Sequence, residues 1–150
     1  SIIANCSSGI EPLFALSYTR RALEDKEFFE IDPIFLQVSK EEGFWRPEFE
    51  STLRQTGSLN SAAEIPPETR ELLITAFEIP PARHIEMQAG FQRYTDSAVS
   101  KTINFPSDAT QNDVREAFLL ADRMGCKGVT IYRSGTRAGQ VLTCGPNQLC

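Results

Sequence analysis

Residues 100–132 constrain the fold more than any other stretch, because two short β-branched runs flank a helical pattern. Ser100-Lys-Thr-Ile-Asn-Phe-Pro106 alternates as a strand does, with Ile103 and Phe105 on one side. From Asn112 to Met124, Val114, Ala117, Phe118, Ala121 and Met124 recur on one helical face, and Ser107 or Asp108 is the expected cap. Gly125 is free to take the left-handed C-terminal position, Lys127 suits the negative helix end, and Val129-Thr-Ile-Tyr132 is the second strand. A strand, helix, strand crossover of this kind makes the strands parallel and covers both their faces, which means an α/β sheet or barrel. Two strands cannot close a barrel. The chain therefore reads as part of a larger α/β structure, incomplete on its own, or else as a piece with exposed sheet edges. Ligands in such folds gather at the C-terminal strand edge, which draws attention to Arg133-Ser-Gly-Thr-Arg137.

Upstream of that crossover the chain is less regular. Residues 1–6 are short and apolar, a helical turn or a strand, and Ser7-Ser-Gly9 signals a turn. Tyr18-Thr-Arg-Arg21 continues an extended segment, and residues 22–30 fit a surface hairpin or loop. Asp32-Pro33 places a cap residue ahead of Pro at the first helical position, with Phe35, Leu36 and Val38 on the buried side of a helix stopped by Gly43. Pro47 opens another short helix, with Phe49 and Leu53 four apart. Residues 55–63 form a polar loop. Leu72, Leu73, Ala76 and Phe77 give the stripe of a helix over 68–77, and Pro80-Pro81 break it. A further helix is expected from His84 to about Ser97, with Met87, Phe91, Tyr94 and Ala98 as its apolar side.

Composition narrows the class of function. Apolar content of 41% and charged content of 23% describe a globular protein, and the net charge of −5, with scattered Lys and Arg, argues against nucleic acid as a partner. No run of about 18 apolar residues would span a membrane, and no leader precedes an apolar stretch, so the expected location is the cytoplasm. The chain opens on Ser1, as though cut from a longer protein.

Four cysteines stand at positions 6, 126, 144 and 150, without the spacing of a disulfide scaffold or a zinc knuckle, so no metal site is assigned. Cys126 reads as core packing. Cys144 and Cys150, a C-x5-C pair on an extended tail, can exchange with each other and a partner, or can be unpaired tail thiols or half of a truncated metal knuckle. His84, the sole histidine, reads as an ordinary residue near a helix start. Arg133 and Arg137 suit an anion or a solvated salt bridge, and Glu11 suits a general base or a buried acceptor. The residues leave those alternatives open.

Three motifs carry a family resemblance: Ser1-Ile-Ile-Ala-Asn-Cys-Ser-Ser-Gly-Ile-Glu-Pro12, Asp96-Ser-Ala-Val-Ser-Lys-Thr-Ile-Asn-Phe-Pro106 and Gly125-Cys-Lys-Gly-Val-Thr-Ile-Tyr-Arg133. In this order they resemble the C-terminal part of the ribonucleotide reductase catalytic chain, most closely its adenosylcobalamin-dependent class II branch. The resemblance covers residues 1 to about 142. It implies the C-terminal segment of a ten-stranded α/β barrel and a thiyl-radical reduction of ribonucleotides, with the radical-bearing cysteine upstream and no catalytic residue in this chain. It also implies an adenosylcobalamin cofactor whose site is not located here. Ser1, with the backbone of Ile2, falls at the edge of the substrate-phosphate site, where a helix N-terminus suits phosphate. Cys6 departs from the family pattern and takes no role.

The same resemblance bears on the branch. Iron-dependent members carry adjacent tyrosines for radical relay where this chain has Thr130 and Ile131, neither of which has an accessible one-electron oxidation. Cys144 and Cys150 match the place of a C-terminal redox pair that re-reduces the active-site disulfide and is itself served by a thioredoxin-like reductant. Expected partners are the N-terminal reductase segment, the ribonucleotide, that reductant, and a second copy in a homodimer. The implied organisation is residues 1–142 in the barrel and 143–150 as a flexible tail. Two other functions compete: a non-catalytic half-barrel assembly module, and a small thiol oxidoreductase using the tail pair, which lacks a compact C-x-x-C at a helix start.

Overall fold

The computed structural model describes residues 9–22, 26–56, 59, 65–136 and 142–143. The chain divides into two compact units: residues 9–12 with Ala76–Thr136, and residues 13–75 with the short strand at 142–143.

The second unit contains an antiparallel sheet of β1 (Ser17–Ala22), β2 (Lys26–Ile31) and β5 (Leu142–Thr143), in the order β2-β1-β5. Residues 26–31, expected within a hairpin or loop, pair with β1 along their whole length, from Ser17 opposite Ile31 to Ala22 opposite Lys26. Phe29 and Ile31 on β2 pack on the unit's core. That packing is the reason the charged run forms a strand. Three helices follow: α1 (Pro33–Glu41), α2 (Pro47–Thr56) and α3 (Pro67–Leu72). The Asp32 carboxylate accepts from the Phe35 N–H at 2.8 Å and Pro33 fills the first turn, as the sequence predicts.

Phe35, Phe44, Phe49 and Leu53 are buried together with Leu16, Leu59 and Ile65. Phe35 meets Trp45 edge-on at 6.2 Å, and Trp45 meets Phe49 in the same way at 6.2 Å. The helix expected over 68–77 ends at Leu72, which is 84% exposed rather than part of a buried stripe.

The first unit contains the crossover. β3 (Thr102–Phe105) lies parallel to β4 (Thr130–Arg133), with Thr102 opposite Thr130 and Phe105 opposite Arg133, and α5 (Gln111–Arg123) connects them. Ile103, Asn104 and Phe105 are all buried, as a strand covered on both faces requires. Ile85, Ile103, Phe105, Ala117 and Ala121 form the core, and Cys126 packs against it; burial pushes the Cys126 thiol up from its ordinary pKa. The cap of α5 is Thr110, not Ser107 or Asp108: its hydroxyl accepts from the Asp113 N–H while the Asp113 carboxylate accepts from the Thr110 N–H. Phe118 is half exposed, so the buried stripe of α5 is narrower than the sequence suggests. Gly125 takes a positive φ of 76° and closes the helix.

The fold class is thus α/β with a parallel crossover. No closed barrel is present among the described residues.

Candidate functional site

Helix α4 (Pro81–Gln92) decides where the polar groups of the first unit meet. Its sequence pattern suggests burial of Met87, Phe91 and Tyr94. The buried residues are instead His84, Ile85, Gln88, Ala89 and Gln92. Met87 and Phe91 are each 51% exposed and Tyr94 is 91% exposed. The buried face is rotated by one residue, roughly 100° on a 3.6-residue helix.

Hydrogen bonds explain the rotation. Gln88 Nε2 donates to the carbonyls of Val99 and Gly128, at 3.0 and 2.6 Å. Gln92 Nε2 donates to the carbonyls of Thr95 and Ser97, and its Oε1 accepts from the N–H of Val99. The two buried amides tie down the loop between α4 and β3 by bonding its backbone groups, Gln92 through both its nitrogen and its oxygen.

At the start of the same helix lies the most concentrated set of charged groups among the described residues. Lys101, one residue ahead of β3, has a side chain only 1% exposed. Its ammonium donates to Glu11 Oε2 at 2.6 Å, to His84 Nδ1 at 2.9 Å and to the Thr102 carbonyl at 2.9 Å. All three ammonium protons are used. Glu11 Oε1 also accepts from the Thr102 N–H at 2.6 Å, so this carboxylate pairs with the lysine and caps the first N–H of β3.

Because Nδ1 accepts from an ammonium, the ring proton of His84 lies on Nε2, which donates to the Ala76 carbonyl at 2.9 Å. Burial holds the His84 pKa below 6.5, partly offset by the Ala76 carbonyl; the Lys101 charge lowers it further and Glu11 opposes it. The histidine is therefore neutral at physiological pH. The cluster is a charged pair with a neutral acceptor, and every donor in it is engaged. It joins four separate stretches, residues 9–12, the turn at Ala76, the first turn of α4 and the entry to β3. It can hold geometry. It has no free base or nucleophile.

Of the residues singled out in the sequence, Glu11 is an acceptor rather than a base. His84 is more than an ordinary helix-start residue. Lys101 went unnoticed: a lysine at a strand entry reads as solvated, and only its place beside an apolar strand hints otherwise. At the other end of the strands, Arg133 reaches back to the carbonyls of Ala109 and Ser107 and fastens the turn between β3 and α5. Two of its nitrogens are committed to the backbone, and among the described residues no ion pair to a carboxylate is formed. Thr130 is exposed, Ile131 packs on the core, and the ring of Tyr132 meets Phe77 edge-on at 6.4 Å. Ser1, Ile2, Cys6, Arg137, Cys144 and Cys150 lie outside the described residues.

The sequence profile of the ribonucleotide reductase barrel domain matches residues 1–132. The chain belongs to that family. It is 46% identical over 145 residues to the vitamin B12-dependent ribonucleoside-diphosphate reductase of Thermoplasma acidophilum, covering 97% of this chain and 19% of the relative. It is 41% identical over 143 residues to the protein of the same name from Mycobacterium tuberculosis, covering 95% of this chain and 20% of the relative. The chain thus spans about a fifth of the length of these relatives. The alpha subunit of the Actinobacillus ureae class Id ribonucleotide reductase has the same fold over 83% of this chain and 22% of its own, at 23% identity and a TM-score of 0.66.

Proposed function

We propose that this chain forms part of the barrel of a vitamin B12-dependent ribonucleotide reductase that converts ribonucleoside diphosphates to deoxyribonucleotides. It acts only together with the N-terminal reductase segment. The observation that carries this reading is the barrel-domain match over residues 1–132, joined by two relatives above 40% identity whose names state that activity. β4 supports the cobalamin branch over an iron-dependent one, because Thr130 and Ile131 offer no side chain that can relay a radical.

Adenosylcobalamin, when bound, supplies the initiating radical by homolysis of its cobalt–carbon bond. The one histidine of this chain does not fit as a cobalt ligand, since His84 is buried and both of its ring nitrogens are engaged. No step through the cofactor is therefore assigned to the described residues. Their part is to hold the segment at residues 9–12 against the entry of β3 through Glu11 and Lys101.

Within this reading residues 1–142 belong to the barrel. Ser1 and the backbone of Ile2 edge the site for the substrate phosphates, and the tail at 143–150 carries the redox pair. The Cys144 and Cys150 thiols reduce the active-site disulfide by exchange: two thiols become one disulfide, and the accepting disulfide becomes two thiols. A thioredoxin-like reductant then restores the tail pair. The assembled enzyme works in the cytoplasm, where thiols stay reduced, and as a homodimer.

The test is made in the complete enzyme. Deoxyribonucleotide formation should require added cobalamin. Replacing both cysteines, Cys144→Ser with Cys150→Ser, should spare turnover with dithiothreitol and abolish it with thioredoxin. Equal loss with both reductants would remove the tail assignment, and activity with an iron subunit but without cobalamin would overturn the branch.

A further inference from the structure

The exposed side of α4 is the largest feature that neither the crossover nor the Glu11–Lys101–His84 cluster explains. Met87 and Phe91 on α4, with Tyr94 in the turn just past its end, are spaced by four and three and form one exposed stripe. Beside them an open cleft of about 960 Å³ runs between α4 and residues 9–12, with Ile10, Pro12 and Ile79 on its other walls. Its floor is charged but self-neutralised: the Lys101 ammonium spends its protons on Glu11, His84 and Thr102, and Arg83 at the rim pairs with Glu86. The buried charges of the floor offer a ligand no free donor, and Arg83, the one cation among the described rim residues, is exposed and shared with Glu86. An apolar surface would cover Met87, Phe91 and the Tyr94 ring without stranding the Lys101 ammonium or the Glu11 carboxylate, which already satisfy each other.

We infer that this cleft and the Met87–Phe91–Tyr94 stripe are the surface onto which the N-terminal segment of the same reductase docks, through an apolar helix or strand face. The inference rests on the reductase reading above and names the contact surface. Two facts select this occupant over a second copy or an unrelated protein. The matched relatives are about five times the length of this chain, so most of the barrel polypeptide lies outside it. Among the described residues, β3 and β4 pair only with each other, so a parallel wall continuous with this unit has an open edge on each side.

Gly90 lies in the middle of the stripe, and a Cβ built there meets nothing within 4 Å. The space above it is open, and no internal contact requires a glycine. Any residue there other than proline raises helix propensity and occupies the cleft at the same time. Gly90→Arg should therefore separate docking from folding, since it strengthens α4 while obstructing the surface.

The experiment combines this chain with its separately produced N-terminal reductase segment and reads association by sedimentation. Wild type should form a one-to-one complex. Gly90→Arg, and separately the pair Phe91→Asp with Tyr94→Asp, should weaken it by about 100-fold or more, as loss of buried aromatic anchors does. Thermal unfolding of Gly90→Arg alone should be unchanged or raised. Undiminished association of both variants would overturn the proposal, as would a wild-type chain that fails to associate, or one that self-associates through this face. Cobalamin-dependent turnover is read on the same samples. A complex that is lost with Gly90→Arg but never turns over keeps the docking surface and removes the enzyme reading. Turnover and association that both survive in the two variants remove the docking surface alone.

Discussion

The two units are held together by opposite means. In the unit of residues 13–75, Phe35, Phe44, Trp45 and Phe49 pack around Leu53, which is fully buried. In the unit containing α4 and β3, the apolar core is small, and His84, Gln88, Gln92 and Lys101 are buried beside it. The first is stabilised chiefly by area removed from water, a non-directional effect that tolerates substitutions of similar volume. The second depends on directed bonds, each of which leaves a stranded partner when broken. An apolar unit therefore weakens by degrees, while a polar one fails at single atoms.

That contrast is sharpest at Glu11. Replacing Glu11 by alanine leaves the Lys101 ammonium buried without its carboxylate, and such a change costs about 3–5 kcal/mol. Urea unfolding of the chain should show this loss, and the paired change Glu11→Leu with Lys101→Met should recover most of it, because no charge is then stranded. If the pair proves as unstable as the single variant, the cluster stabilises through packing, and the contrast between the units disappears.

Leu53→Ala is the corresponding change in the apolar unit. It should cost about 2–5 kcal/mol through lost burial and a residual cavity. Leu53→Met should cost less than about 1.5 kcal/mol, the tolerance that distinguishes this core from the other. Calorimetric or urea midpoints of the two variants decide it. A methionine as damaging as alanine would mean that this core, too, is specified atom by atom.

The smallest effect is pH dependence. His84 sits below its ordinary pKa of 6.5 in the folded chain, so the unfolded chain takes up its proton first as pH falls. Stability should then be full above about pH 6.5 and decline below it as the unfolded state gains the proton, continuing until the lowered folded pKa is passed. The groups acting on the ring are the Lys101 ammonium, the Glu11 carboxylate and the backbone carbonyls of Ala76 and Ile79. His84→Gln should remove this part of the slope between about pH 7 and 5, before most carboxylates titrate. A slope unchanged in that variant would assign the dependence to other groups.

Much of the architecture was legible because it rests on local signals. The crossover followed from Ile103, Phe105 and Val129 to Tyr132 around one helix, and α1 from Asp32-Pro33. The buried face of α4 was not legible by hydropathy. Gln88 and Gln92 read as solvent-facing until their carbonyl partners, up to 40 residues away, are known, while Met87, Phe91 and Tyr94 read as core. The Glu11–Lys101 pair spans 90 residues, and no local pattern couples residues so far apart. The cap at Thr110 was missed because Ser107 and Asp108 are equally good cap types, and only Asp113, three residues beyond Thr110, completes the reciprocal pair. Family motifs supplied what periodicity could not.

One feature of composition gives the two units separate voices. The only tryptophan, Trp45, is packed between Phe35 and Phe49 in one unit, and the only histidine, His84, is buried in the other. Tryptophan emission, excited to the red of tyrosine absorption, therefore reports the melting of the aromatic unit alone, and the imidazole proton resonances report the polar one. Without any added label, a single temperature ramp followed by both signals shows whether the halves unfold together or in turn.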